Sequence, residues 1–170
     1  VTEPEAEFVR TAVKTGQVCI DIGANVGSYT HLLSTLVGPS GQVRSIEPIP
    51  GTSAILLKRV AFFRLKNVWC YPVRFGARVG VGEFVGGTGR PGQSNYAHLK
   101  APNGCEVQTL QKVPLTTLDR LVADQDLEKV DFIKCDVEGS ELMVFRGGQN
   151  VLTQYRPIVL CEVEERWMRY

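Results

Sequence analysis

Two hydrophobic periods alternate along this chain. Short strand-like runs fall at Val18–Ile22, Gln42–Ile46 and residues 68–73, 130–135 and 157–163. Runs of this length and apolarity suit parallel strands whose two faces are both covered by helices. Between them apolar positions recur every three or four residues: Phe8, Val9, Ala12 and Val13 before Gly16; Leu32, Leu33, Leu36 and Val37 before Gly38-Pro39; Ile55, Leu56, Val60 and Phe63 within 52–65; Leu118, Leu121 and Val122. Helix starts are marked by Thr2 with Glu5 as a capping box, by Ser28 as an N-cap, by Thr116-Thr117, and by Ser140-Glu141. Regular alternation of strand and helix predicts an α/β fold, a doubly wound and mainly parallel sheet in one domain over residues 1–170. The first helix is expected to pack on one face of the sheet rather than to act as a lid.

The alternation breaks once. Residues 76–104 are rich in glycine and polar side chains and are bracketed by β-like runs at 81–85 and 106–110. They read as a long hairpin inserted between the third and fourth parallel strands, either a substrate loop or a plain connection. Its cluster of hydrogen-bonding side chains is Ser94, Asn95, Tyr96 and His98. His98 is a candidate base, with an exposed loop histidine as the alternative.

Composition narrows the classes. With 44% hydrophobic residues the chain can bury one continuous core, and no segment is long enough to span a bilayer. Nineteen basic against 18 acidic residues leave a formal charge of +1. No global charge therefore draws the chain to nucleic acid or to an anionic membrane. The five cysteines form no C-x-x-C pair, and three sit inside apolar runs. They read as small buried hydrophobes in a reducing compartment. The chain begins at Val1 and shows no secretory leader, so a cytoplasmic protein, or a piece cut from a longer one, is expected.

Candidate chemistry concentrates at strand ends. In VCIDIGANVGSYT (18–30) a buried strand, a glycine loop and a helix start follow without a gap. Gly23 and Gly27 permit a sharp turn and close approach to a ligand, and Asn25 tolerates positive φ. Backbone N–H groups are expected to be free beside the strand end, where open α/β sheets bind cofactors. The dinucleotide pattern G-x-G-x-x-G is not met, and the carboxylate of Asp21 would repel a pyrophosphate. A ligand with a cationic end suits it better. S-adenosylmethionine carries an ammonium and a sulfonium beside a carboxylate, and Glu47, at the end of the next strand, is placed to accept ribose hydroxyls. The alternative is a tight strand–helix connection with no ligand. Arg74 and Phe75 follow the third strand; Phe75 is read as an adenine contact or as ordinary core. The basic residues Lys58, Arg59, Arg64 and Lys66 read as a solvated helix face. After the fourth strand comes Asp136-Val137-Glu138-Gly139, two carboxylates that extended geometry would point to one side. Glu138 and Glu141 could instead simply favour a helix N-terminus.

DIGANVGSYT, the IEP after the second strand, LTTLDRL, KCDVEGSE, FRGG and the P-I-V-L-C-E strand together resemble the FkbM family of S-adenosylmethionine-dependent methyltransferases, over about 18–164. The resemblance implies a Rossmann-like fold and methyl transfer to a hydroxyl of a sugar or natural-product acceptor. Asp21, Gly23, Asn25 and Gly27 would then hold the cofactor's methionine portion and Glu47 the ribose, with Ala24, Tyr29, Phe75 and Asp136 as further candidate cofactor contacts. Asp136 and Glu138 would border the reaction centre. The base is Asp136, Glu138 or His98. In a second, less favoured version Asp136 and neighbouring acids such as Glu162 bind a divalent cation that acidifies the hydroxyl. Such methyltransferases normally add a final β-hairpin beyond the fifth strand, so a missing C-terminal hairpin is expected, and with it an exposed apolar edge open to an oligomer partner. Two other classes stay open: a catalytically silent partner-binding domain, and a nicotinamide-dependent oxidoreductase.

Overall fold

The computed structural model describes residues 4–86 and 109–163. Its elements in chain order are α1 (Pro4–Ala12), β1 (Val18–Ile22), α2 (Ser28–Val37), β2 (Gln42–Ile46), α3 (Pro50–Phe62), β3 (Val68–Tyr71), β4 (Arg74–Phe75), β5 (Gly80–Gly86), β6 (Thr109–Thr116), α4 (Leu118–Asp124), β7 (Phe132–Cys135), α5 (Glu141–Arg146), α6 (Gln149–Tyr155) and β8 (Ile158–Cys161). Five strands form one parallel sheet in the order β3-β2-β1-β7-β8. This is the expected Rossmann-like, doubly wound arrangement. The chain moves outward from β1 to β2 and β3, then returns to place β7 against the other side of β1. The order therefore reverses between β1 and β7, and the crevice at such a reversal is where open α/β sheets take ligands.

Period-two alternation along the central strands divides the core into two layers. Val18, Ile20, Ile22, Ile133 and Cys135 face one side and pack with Leu118, Leu121 and Val122 of α4, Val144 of α5 and Val151 of α6. Cys19, Val43 and Phe132 face the other side, beneath Ala6 and Val9 of α1, Val13, and Leu32, Leu33 and Val37 of α2. The first helix thus packs on the sheet as expected, although Phe8 is 46% exposed and only Val9 and Val13 of its apolar set are fully buried. The capping-box residue Thr2 lies outside the described residues.

Several boundaries differ from the sequence reading for identifiable reasons. Ser28 is the first helical residue of α2; the cap position belongs to Gly27, at φ 89° and with no side-chain cap. Helix α3 begins two residues early, since Pro50 fits a first helical turn that needs no N–H from it. Pro72 removes a ladder donor and ends β3 at Tyr71, after which Arg74–Phe75 join a separate three-stranded sheet, β4-β6-β5. The inserted hairpin exists, and its second arm runs on past 110: β6 pairs antiparallel with β5 from Gly86↔Thr109 to Gly80↔Leu115. Thr117 caps α4, its side chain accepting from the Arg120 N–H. The helix after Ser140 is two helices, divided at Gly147-Gly148. Residues 87–108, with the candidate base His98, and the C-terminal segment on which the expectation of a missing hairpin rests, lie outside the described residues. Among the described residues no helix is long and apolar enough to cross a membrane.

Ile20, at 0% exposure in the central strand, should cost about 3 kcal/mol when cut to alanine, whereas the exposed Phe8→Ala should change stability by less than about 0.5 kcal/mol. Urea unfolding of the two variants checks this.

Candidate active site

A cavity of about 760 Å³ opens at the C-terminal ends of β1, β7 and β8. Its wall is built from the loop after β1 (23–26), the first residues of α2 (Ser28, Tyr29), Lys134 and Asp136 at the end of β7, residues 160–163 at the end of β8, and Glu5 of α1. The strand-order reversal between β1 and β7 thus forms a real crevice, and the two sequence segments singled out as functional meet in it.

The loop turns as expected, with positive φ at Gly23 (78°), Asn25 (50°) and Gly27 (89°). Its tightness, however, comes from the protein's own atoms. A Cβ on Gly23 would stand 1.8 Å from the Asp136 carbonyl oxygen, and one on Gly27 would stand 2.6 Å from Leu56 Cδ1. Four of the loop N–H groups are committed rather than free. Gly23 and Ala24 both donate to the Ile46 carbonyl at 3.0 Å, and Gly27 donates to the Ala24 carbonyl at 2.8 Å. Asn25 N–H donates to Glu47 Oε2 at 3.0 Å. Glu47 Oε1 accepts from Ile49 N–H at 2.9 Å, so this acid ties the glycine loop to the exit of β2. Glu47 is 5% exposed. Burial pushes its carboxyl up, the two N–H bonds from Ile49 and Asn25 oppose this, and Asp21 and Glu138 add to the rise.

Asp21 is fully buried and is not on the cavity wall, which corrects the expectation of direct ligand contact. Its Oδ2 accepts from Thr30 Oγ1 at 2.7 Å, and Thr30 Oγ1 lies 2.9 Å from Ser45 Oγ. Asp21 Oδ1 is buried with no hydrogen-bond partner among the described residues. Burial raises its pKa, against the pull of Lys134. Lys134, a buried charge on the cavity wall, was passed over by the sequence reading. It is 6% exposed, its Nζ donates to Asp136 Oδ2 at 3.0 Å, and it stands 4.9 Å from the centre of the Tyr29 ring. Burial works against its charge, but Asp21, Asp136 and Glu162 outweigh that and hold its pKa above 10.5. The available signal was a lone lysine inside an otherwise apolar four-residue strand, two positions before an aspartate and so on the same side.

The other candidates divide. Asp136 lines the cavity. Glu138 does not share its extended geometry: at φ 51° it begins a left-handed turn completed by Gly139 at 94°, and it is not on the wall. Glu141 Oε1 accepts from Val137 N–H (3.2 Å) and Gly139 N–H (3.0 Å), so it braces that turn beside the start of α5. Phe75 is 3% exposed in the core layer with Leu118 and Val144, which is the packing alternative rather than the adenine contact. Arg74 Nη2 donates to Ser140 Oγ at 2.6 Å. No group of three His, Cys, Asp or Glu side chains that could hold a metal ion occurs among the described residues.

The sequence profile described as methyltransferase FkbM domain matches residues 21–169. The chain belongs to the FkbM methyltransferase family. A solved FkbM methyltransferase from Methylobacillus flagellatus superposes over 92% of this chain and 39% of its own, at 14% identity and a TM-score of 0.61. A precorrin-6y C5,15-methyltransferase from Geobacter metallireducens superposes over 99% of this chain and 67% of its own, at 17% identity and a TM-score of 0.54. Both likenesses are of fold. The FkbM domain described here thus spans about two-fifths of the length of the Methylobacillus protein. Comparison with curated proteins finds no match.

Two outcomes follow for this FkbM domain. Gly23→Ala combines a backbone clash with a left-handed φ and should cost about 3 kcal/mol or more by urea unfolding. At Asp21 the native state keeps a proton that the unfolded chain releases near pH 3.8, so this residue's contribution to stability falls as pH rises from there through its raised folded pKa. Asp21→Asn removes that loss. The variant should therefore gain on the wild type in unfolding experiments run from about pH 4 upward, and a difference that stays constant with pH would refute the assignment.

Proposed function

We propose that this FkbM domain binds S-adenosylmethionine in the 760 Å³ cavity and methylates a hydroxyl oxygen of a small acceptor, a sugar or a natural product. The observation that carries the reading is the charge pattern of the wall. A buried cation, Lys134, and an acid, Asp136, stand 3.0 Å apart at the strand-order reversal, beneath the first turn of α2. A wall of both signs suits a ligand whose amino-acid end is itself of both signs, and the volume lies within the roughly 300–1,000 Å³ usual for such ligands.

The residues assigned to the cofactor are the loop Gly23, Ala24, Asn25 and Gly27, Tyr29 on α2, and Asp136. Glu47, assigned to the ribose hydroxyls, stands behind the loop and not on the cavity wall, each of its oxygens accepting one N–H from Asn25 or Ile49. When bound, S-adenosylmethionine supplies an electrophilic methyl group on a sulfonium. The protein's work is to hold the acceptor oxygen in line behind that methyl, which accelerates the step without any nucleophilic side chain. Asp136, on the wall, is one of three candidate bases for the hydroxyl proton; where its carboxylate is taken by the cofactor's ammonium, that role passes to the other two. Glu138, on the turn outside the wall, and His98, outside the described residues, are the other candidate bases. A divalent cation remains the less favoured route to the same deprotonation.

A cytoplasmic setting is part of this proposal, supported by the free, buried thiols of Cys19 and Cys135. The half-exposed Ile158 and Val159 of the edge strand β8 support an oligomer contact there.

Isothermal titration of the chain with S-adenosylmethionine, and with NAD in parallel, tests the reading. Saturable binding of the first alone is expected; binding of neither by folded protein would favour a silent domain, and binding of NAD an oxidoreductase.

A further inference from the structure

The N–H groups of Gly23, Ala24, Asn25 and Gly27 are spent inside the protein, so four of the donors expected to meet the carboxylate of the bound amino-acid end are already committed. A carboxylate leaving water needs charged or N–H donors in their place. We infer that Lys134 supplies them: its ammonium receives the cofactor's α-carboxylate while the neighbouring Asp136 receives its α-ammonium. This assignment rests on the cofactor reading above and deepens it.

Four observations support the inference. Lys134 lies on the cavity wall although it is 6% exposed, so its charge is presented to the cavity and little to bulk water. An ammonium has three N–H groups, and Asp136 Oδ2 takes one of them. The face of Tyr29, 4.9 Å away, shields the ammonium without neutralising it and ties it to the first turn of α2, whose partial positive charge also favours a carboxylate. An α-amino acid carries both of its charges on one carbon, and the Lys134–Asp136 pair offers the complementary charges side by side. The rival role is purely structural, with Lys134 serving to balance Asp21 and Asp136.

The two roles separate by ligand. S-adenosylhomocysteine and 5′-methylthioadenosine share the adenosine and thioether, but only the first has the amino-acid end. For K134M, shown to be folded by its thermal transition, calorimetry should give an affinity for S-adenosylhomocysteine at least about tenfold weaker than wild type, with 5′-methylthioadenosine unchanged within about twofold. K134R should recover part of the loss. Unchanged binding of S-adenosylhomocysteine, or equal weakening of both ligands, would overturn the assignment. Should K134M not fold, the wild type decides from the ligand side: the carboxamide of S-adenosylhomocysteine should bind at least about tenfold more weakly than the acid, and equal binding overturns the inference. Wild-type protein that binds neither nucleoside overturns the cofactor reading itself, and this assignment with it.

Discussion

The contact on which the site depends is made by backbone alone, where Gly23 meets the carbonyl of Asp136 with no room for a side chain. It brings the exits of β1 and β7 together at the point where the strand order reverses. Because β1 is buried along its whole length and paired on both sides, neither exit can retreat from the other without disrupting the sheet. The loop is held from the opposite side by Ile46 and Glu47 at the end of β2. Three strand ends are thereby locked into one rim, and the first turn of α2 is aimed across it.

Beneath this rim lies an arrangement of charge that costs stability and has no value for packing alone. Asp21 is buried with one oxygen unpaired, and Lys134 is buried against Asp136. Removing a carboxylate from water is expensive unless its oxygens are satisfied. Thr30 satisfies one oxygen of Asp21, and Lys134 partly neutralises the remainder through space. The outcome is a cation and an acid held at fixed positions on a cavity wall, a preorganised polar surface of the kind that binds a zwitterion without first having to rearrange. Strain collects nearby: Asn25 and Glu138 both hold left-handed backbone on the two loops that border the crevice. Such conformations persist only where the surroundings impose them, here the Glu47 and Glu141 carboxylates that grip the neighbouring N–H groups.

Sequence alone determined the elements whose signal is local. The apolar period of β1, the glycine and asparagine positions of its loop, the apolar run of β8 and the acid at the end of β2 are all legible, since each reflects a residue's own conformational limits or its neighbours in the chain. The FkbM membership was legible for the same reason, being carried by short motifs at strand ends. Tertiary structure decided which atoms fill the loop's close approaches, which N–H groups are already spent, and that Phe75 belongs to the core while Lys134 belongs to the cavity. Those outcomes depend on β7 returning beside β1 across more than a hundred residues of chain. No local period encodes such a pairing, because it is fixed by the joint burial of several strands and not by any one of them.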